Sequence, residues 1–432
     1  MLKKASHLMV LCTFGALAVH LLPNAPNFSL ILGQTLQQER AALSPPATSG
    51  EPRKTINIER TPLRVIRDPR SSFSAVAVDV VRDEIVLQDE LQEQITVYNR
   101  LDNTPPQAAM TEPKRVIGGV RTNIGSNCGV YVDQSSGDIY SVNGDITNWM
   151  SVFSREARGN VAADRSLHTP HRTFGIAVDE KAQELFLTIN HAPGVVVYRK
   201  MASGEEAPLR ILEGDKTQLM DVQGIALDTK NQLMFVANRG ARSRNKNNRG
   251  WSRALKEGER TWEIPQQIEA WRNFIPGSGE FSPPSITVYP LKASGDTPPL
   301  RVIQGSLTKL NWPAHLSLDV EHQELFVANT VADEILIFRA IADGNVAPAR
   351  ILKGPRTGLK SPHGIYVDVK NEEIVVANFG NHAATVYRRT ASGDTPPIRT
   401  IRAAPPNTPA PSLGSVGALN YDTKRDQILV PN

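Results

Sequence analysis

His315 and His363 are the residues of this chain whose type and position best suit holding a cation or moving a proton. Each stands just behind a proline, Pro313 or Pro362, and four or five residues ahead of an aspartate that ends an apolar run. A metal-dependent hydrolase fixes its ion with three or four such histidines or carboxylates and uses it to activate water. The column they belong to runs Ser74-Ala75, Cys128-Gly129, Phe174-Gly175, Gln223-Gly224, Ala314-His315, His363-Gly364 and Gly417-Ala418. It holds two histidines and no acid. The pair therefore reads as a two-ligand cation site or as turn residues following a proline, and the shortage of ligands favours the turn. No cofactor is expected beyond a divalent cation at this level.

A second column lies ten residues after each aspartate: Asp89, Asn143, Ile189, Asn238, Asn329, Asn378 and Asn432. Amides such as Asn238, Asn329 and Asn378 can hydrogen-bond a ligand, and they can equally satisfy backbone groups at a strand end. Recurrence in six of seven repeats favours service to each repeat. The third candidate is the segment 239–284. Its first part, RGARSRNKNNRGWSRALK, has seven Lys or Arg and no acid, including Arg239, Arg242 and Arg244. Trp251, Trp262 and Trp271 are three of the chain's five tryptophans. Arginine forks match carboxylate or phosphate and indoles stack on rings, so the segment reads as a grip for an anionic partner. The competing reading is a solvated basic loop packed down by its tryptophans and a short helix at 265–273. No nucleophile elbow, HExxH motif, paired metal-spaced cysteines or phosphate-binding glycine loop is present, which favours a binding protein over an enzyme.

The elements that position these residues are set by a repeat. Apolar runs end in Asp79, Asp133, Asp179, Asp228, Asp319, Asp368 and Asp422, at spacings of 54, 46, 49, 91, 49 and 54 residues. Two further runs follow in most repeats, such as ITVY at 95–98 and, behind a Gly- and Pro-bearing turn, PLRVIQG at 299–305. Four short strands every ~50 residues predict an all-β, seven-bladed β-propeller over residues 56–432. INIE (56–59) and TPLRVIRD (61–68) would supply the last two strands of the incomplete seventh repeat, so that two strands from each terminus close the ring. Deleting residues 426–432 should then open it. The loops before the first strand and between the second and third share the channel-mouth face, which places both columns and the 239–284 insertion there.

SPHGIYVDVKNEEIVVANFGNHAATVY (361–387) resembles the NHL repeat, and ELFVAN followed by ILIF resembles the YVTN or lactonase-like bacterial propellers. The resemblance covers nearly all of residues 58–432. It implies a propeller, and because these families host scaffolds, binding modules, lactonases and lyases it implies no one function. The alternative to a binding or scaffold role is a lactonase-like or other metal-dependent hydrolase with its site on the same face.

Met-Leu-Lys-Lys and the apolar run Leu8 to Leu22 mark residues 1–33 as a signal peptide or an N-terminal membrane anchor. Residues 34–55 are polar and Pro-Gly-Ser rich and read as a flexible linker. The protein is thus expected to be exported, periplasmic or extracellular, and anchored by residues 8–22 if the signal stays. Cleavage would leave Cys128 as the sole thiol, so stability must come from packing. A net charge of +4 over 432 residues gives no reason to expect nucleic acid. The partners that fit are a protein or an anionic envelope glycan or lipid, with membrane association only through the N-terminus.

Overall fold

The computed structural model describes residues 70–144, 147–190, 193–242, 280–408, 420–422 and 427–429. Six four-stranded antiparallel sheets follow one another along the chain. Blade 1 is Phe73–Asp79, Glu84–Asp89, Gln94–Asn99 and Arg115–Gly118, and blade 2 is Asn127–Val132, Ile139–Asn143, Trp149–Phe153 and Arg165–His168. Blade 3 is Thr173–Asp179, Glu184–Ile189, Gly194–Arg199 and Arg210–Glu213, and blade 4 is Val222–Asp228, Leu233–Asn238, Ser285–Pro290 and Arg301–Gln304. Blade 5 is Pro313–Asp319, Glu324–Asn329, Glu334–Arg339 and Arg350–Leu352, and blade 6 is Pro362–Asp368, Glu373–Asn378, Ala383–Arg388 and Arg399–Arg402. Among the described residues there is no α-helix.

The strands are apolar at successive positions because both of their faces are covered. Ile85 and Leu87 pack toward blade 6 while Val86, between them, packs toward blade 2. This is the two-residue alternation of a strand, with a blade waiting on each side. The hairpin between first and second strands is chemically alike throughout. Asp79 accepts the amides of Val81 and Arg82 at 3.1 and 3.0 Å, and the residue four after each aspartate, from Asp83 and Gly137 to Gln323 and Glu372, is left-handed. The aspartate column is therefore turn chemistry, as expected.

The ring closes with six blades and not with seven. Six apolar clusters fill six interfaces, and one of them joins Phe73, Leu87 and Tyr98 of blade 1 to Val375, Ala384 and Ile401 of blade 6. Five of the junctions share a parallel bridge from a fourth strand to a glycine of the next blade, such as Ile117 with Gly159 and Leu352 with Gly393. At the sixth, the Thr400 and Arg402 carbonyls accept the Thr104 and Thr111 amides at 2.8 and 2.9 Å. Ser72 Oγ donates to the Phe379 carbonyl at 2.5 Å, and Arg100 pairs with Glu373 at 3.0 Å. Blades 6 and 1 thus cover each other directly, leaving no interface for the blade expected from two strands of each terminus. Asn420–Asp422 and Gln427–Leu429 pair with each other as a two-stranded sheet. The segments 1–33, 34–55 and 56–68 lie outside the described residues. The repeat overcounts because an aspartate-ended hairpin is half of a blade, and its other half has to be found elsewhere.

Direct closure carries a consequence opposite to the one drawn from the repeat. Because blades 1 and 6 close on each other, removing residues 409–432 is expected to leave a single cooperative unfolding transition in place. Urea denaturation checks this, and loss of the cooperative transition would contradict it.

Candidate functional site

The first strand of each blade faces the central channel, and in all six the register slips near its start. The slips fall at Phe73/Ala75, Asn127/Gly129, Val222/Ile225, Pro313/Leu316 and Pro362/Gly364, and in blade 3 opposite Leu187/Ile189. A bulge bends the strand and re-aims the side chains beside it. At this level neighbouring blades meet backbone to backbone. A Cβ on Gly224 would lie 2.6 Å from the Cα of His315, and one on Gly364 would lie 2.7 Å from the Cα of Ala75. Glycine is thus a packing requirement there. Blades 1 and 5 depart from it, carrying Ala75 and His315.

The outcome is a group of rings on the channel wall. Phe174 of blade 3, His315 of blade 5 and His363 of blade 6 converge, with centroids 5.3 Å (Phe174–His315), 5.6 Å (Phe174–His363) and 5.4 Å (His315–His363) apart. Phe379 stands 6.2 Å from His363. His363 is buried and its Nδ1 is 2.7 Å from the Ser74 carbonyl. A carbonyl only accepts, so Nδ1 carries the hydrogen and Nε2 the lone pair. His315 bonds to the backbone of Cys128 in the blade opposite, and its Nε2 is buried without a partner. Burial pushes His315 down to about 3, with His363 adding to the shift and the Cys128 bond opposing it. Burial also lowers His363 to about 4, opposed by the Ser74 bond and assisted by the positive charge of Arg239. Both imidazoles are neutral across the ordinary pH range. Gln223, fully buried in the same column, has an Oε1 that also lacks a partner.

Above this group the rim is built by blades 4 and 5. Arg239 is held by Asp221, Nε to Oδ2 at 2.9 Å, and sets its guanidinium 4.3 Å from the ring centroid of Trp312. Asp221 also accepts Asn190 Nδ2 at 2.5 Å. The residue ahead of the first strand is left-handed in five blades, at Ser126, Arg172, Asp221, Trp312 and Ser361. A tryptophan in that conformation, with φ of 62°, is strained, and it leaves the indole 40% exposed at the mouth. At the root of the insertion Ala241–Arg242 pairs with Glu280–Phe281. Arg244, Trp251, Trp262 and Trp271, and the stretch 265–273, lie outside the described residues.

The amide column lies at the ends of the second strands. Asn238 Oδ1 accepts the Met220 amide at 2.9 Å, Asn329 that of Asn311 at 2.6 Å and Asn378 that of Lys360 at 3.1 Å. Their Nδ2 groups donate to Thr287 Oγ1, Glu334 Oε1 and Thr385 Oγ1. Each thereby ties the loop entering its own blade to the strand beside it. Asp89 does the same in blade 1, accepting from Ser72 at 3.0 Å. Phe174, Phe379, Asp221 and Trp312 carry no signal in residue type alone. The available signal was position, since Phe174 shares the histidine column and Trp312 immediately precedes Pro313.

Among the described residues no group of three or more His, Cys, Asp or Glu is placed to hold a metal ion. No family model matches the chain, and no curated protein does. Among solved structures it is similar to Kuenenia stuttgartiensis hydrazine synthase, at 9% identity and a TM-score of 0.47, over 78% of this chain and 100% of that one. Membership of the NHL or YVTN families is not shown.

Asp89 is where one blade departs electrostatically from its sisters. Burial pushes its carboxyl up to about 6 against hydrogen bonds from Ser72, Gln92 and Leu91. An acid whose folded pKa lies above its unfolded value binds more protons when folded, so stability falls as pH rises from about 4 through about 6. Asp89→Asn, the amide found at this position in blades 2, 4, 5 and 6, is expected to abolish that decline in chemical denaturation across this window. A decline of unchanged slope would assign the titration to another group.

Proposed function

We propose that this protein is an exported, non-catalytic binding propeller whose channel-mouth face grips an anionic envelope glycan. The observation that carries the reading is the pair of Arg239 and Trp312. Asp221 fixes the guanidinium, the guanidinium fixes the indole, and the indole stays exposed at the root of an insertion rich in Arg, Lys and Trp. A side chain already ordered before binding loses little rotamer entropy when a ligand arrives. An indole offers a face for a sugar ring, while neighbouring arginines fork onto its carboxylates. A basic, then apolar N-terminus supports delivery of that face to the envelope.

Cosedimentation with a uronic-acid polymer is expected to retain the protein, and Trp312→Ala and Arg239→Ala are each expected to weaken binding about thirtyfold, the loss of a hot-spot side chain. Neutral dextran should not compete. Retention by phosphatidylglycerol vesicles or by an acidic protein in place of the polymer would overturn the glycan assignment, and retention by none of them would overturn the reading itself.

A further inference from the structure

We propose that the channel mouth takes the end of its glycan and not the middle, seating one terminal uronate on a floor of rings with its carboxylate on Arg239. This rests on the glycan reading and adds to it the mode of binding.

The floor is made by two contacts that cross the channel. In a ring of six, blade 3 faces blade 6 and blade 2 faces blade 5. Phe174 of blade 3 meets His363 of blade 6 with centroids 5.6 Å apart, and His315 of blade 5 reaches the backbone of Cys128 in blade 2. His315 also lies 5.3 Å from Phe174 and 5.4 Å from His363. Aromatic pairs in contact have centroids about 4.5–7 Å apart, so the three rings touch and no polymer strand passes between them. The floor lies two or three residues along the first strands from the left-handed residues of the rim, from Arg172 to Phe174, Trp312 to His315 and Ser361 to His363. At about 3.3 Å per residue the recess is roughly 7–10 Å deep. An internal sugar, joined to neighbours on both sides, cannot descend into it. A terminal sugar can.

The chemistry of the recess suits a ring that carries one carboxylate. Phe174 and His315 are half-buried and present ring surface, while His363 Nδ1 is committed to the Ser74 carbonyl and His315 Nε2 is buried. The charge comes from the wall. Asp221 engages Nε and Nη2 of Arg239 at 2.9 and 3.4 Å, and among the described residues Nη1 has no partner. The positive charge of Arg239 reaches His363, which sets it over the floor. A carboxylate there accepts a charge-assisted hydrogen bond from a donor already held in place. The exposed indole of Trp312, packed on the same guanidinium, gives the sugar a second apolar face.

The test is calorimetric titration of the full-length protein with uronic-acid oligomers of two, four and eight units. One protein is expected per chain at every length, with affinities that agree within about threefold, because each chain offers the same end. The methyl ester of the dimer should bind at least about tenfold more weakly, the loss of a hydrogen bond to a charged group. Phe174→Ala should weaken the dimer at least about fivefold, as truncation of a contact residue does. The length series is read on the wild-type protein and does not depend on any variant folding. More than one protein on the longer chains, affinity that climbs steadily with length, or an ester that binds as well as the acid would each overturn end-on binding. So would oligomers that fail to bind while the polymer still retains the protein. Loss of polymer retention as well would instead remove the glycan reading on which this inference stands.

Discussion

The inner strands of the described blades need a cover on two faces, and that requirement organises the rest. A sheet apolar on both sides cannot stand alone in water. Each blade therefore lies between two others, as blade 3 does between the cluster that includes Tyr140 and Met150 and the one that includes Met234 and Tyr289. The array ends only when the last uncovered face meets the first. Blade 6 meets blade 1 through Val375, Ala384 and Ile401 against Leu87 and Tyr98, and this meeting sets the number of blades.

Closing six blades brings the first strands close enough that backbone packs on backbone around the channel. Gly224 against His315 and Gly364 against Ala75 leave no room for a side chain on the glycine partner. Bulges at the same level turn the adjoining side chains onto the channel wall. Phe174 and His363 occupy one column on blades that face each other, while His315 comes from a position where four other blades carry glycine. The chemistry of the wall arises where the repeat is broken. The rim likewise joins two blades, because Arg239 and Asp221 of blade 4 meet Trp312 at the entry to blade 5.

The sequence by itself determined the local chemistry of each repeat. Aspartates at 79, 133, 179, 228, 319 and 368 were legible as hairpin turns because an Asx turn is made within a few residues. Strands buried on both faces were legible from unbroken apolar runs, and the channel-facing columns from their phase relative to those aspartates. The number of blades was not legible, since it depends on which faces meet after the ring has formed and not on how many hairpins the chain contains. The state of the histidines was not legible either. His315 and His363 looked like turn residues behind prolines. Their neutrality and fixed hydrogen bonds come from Ser74, Cys128 and Phe174, residues 141 to 289 positions away, and from the removal of water that only the assembled channel provides.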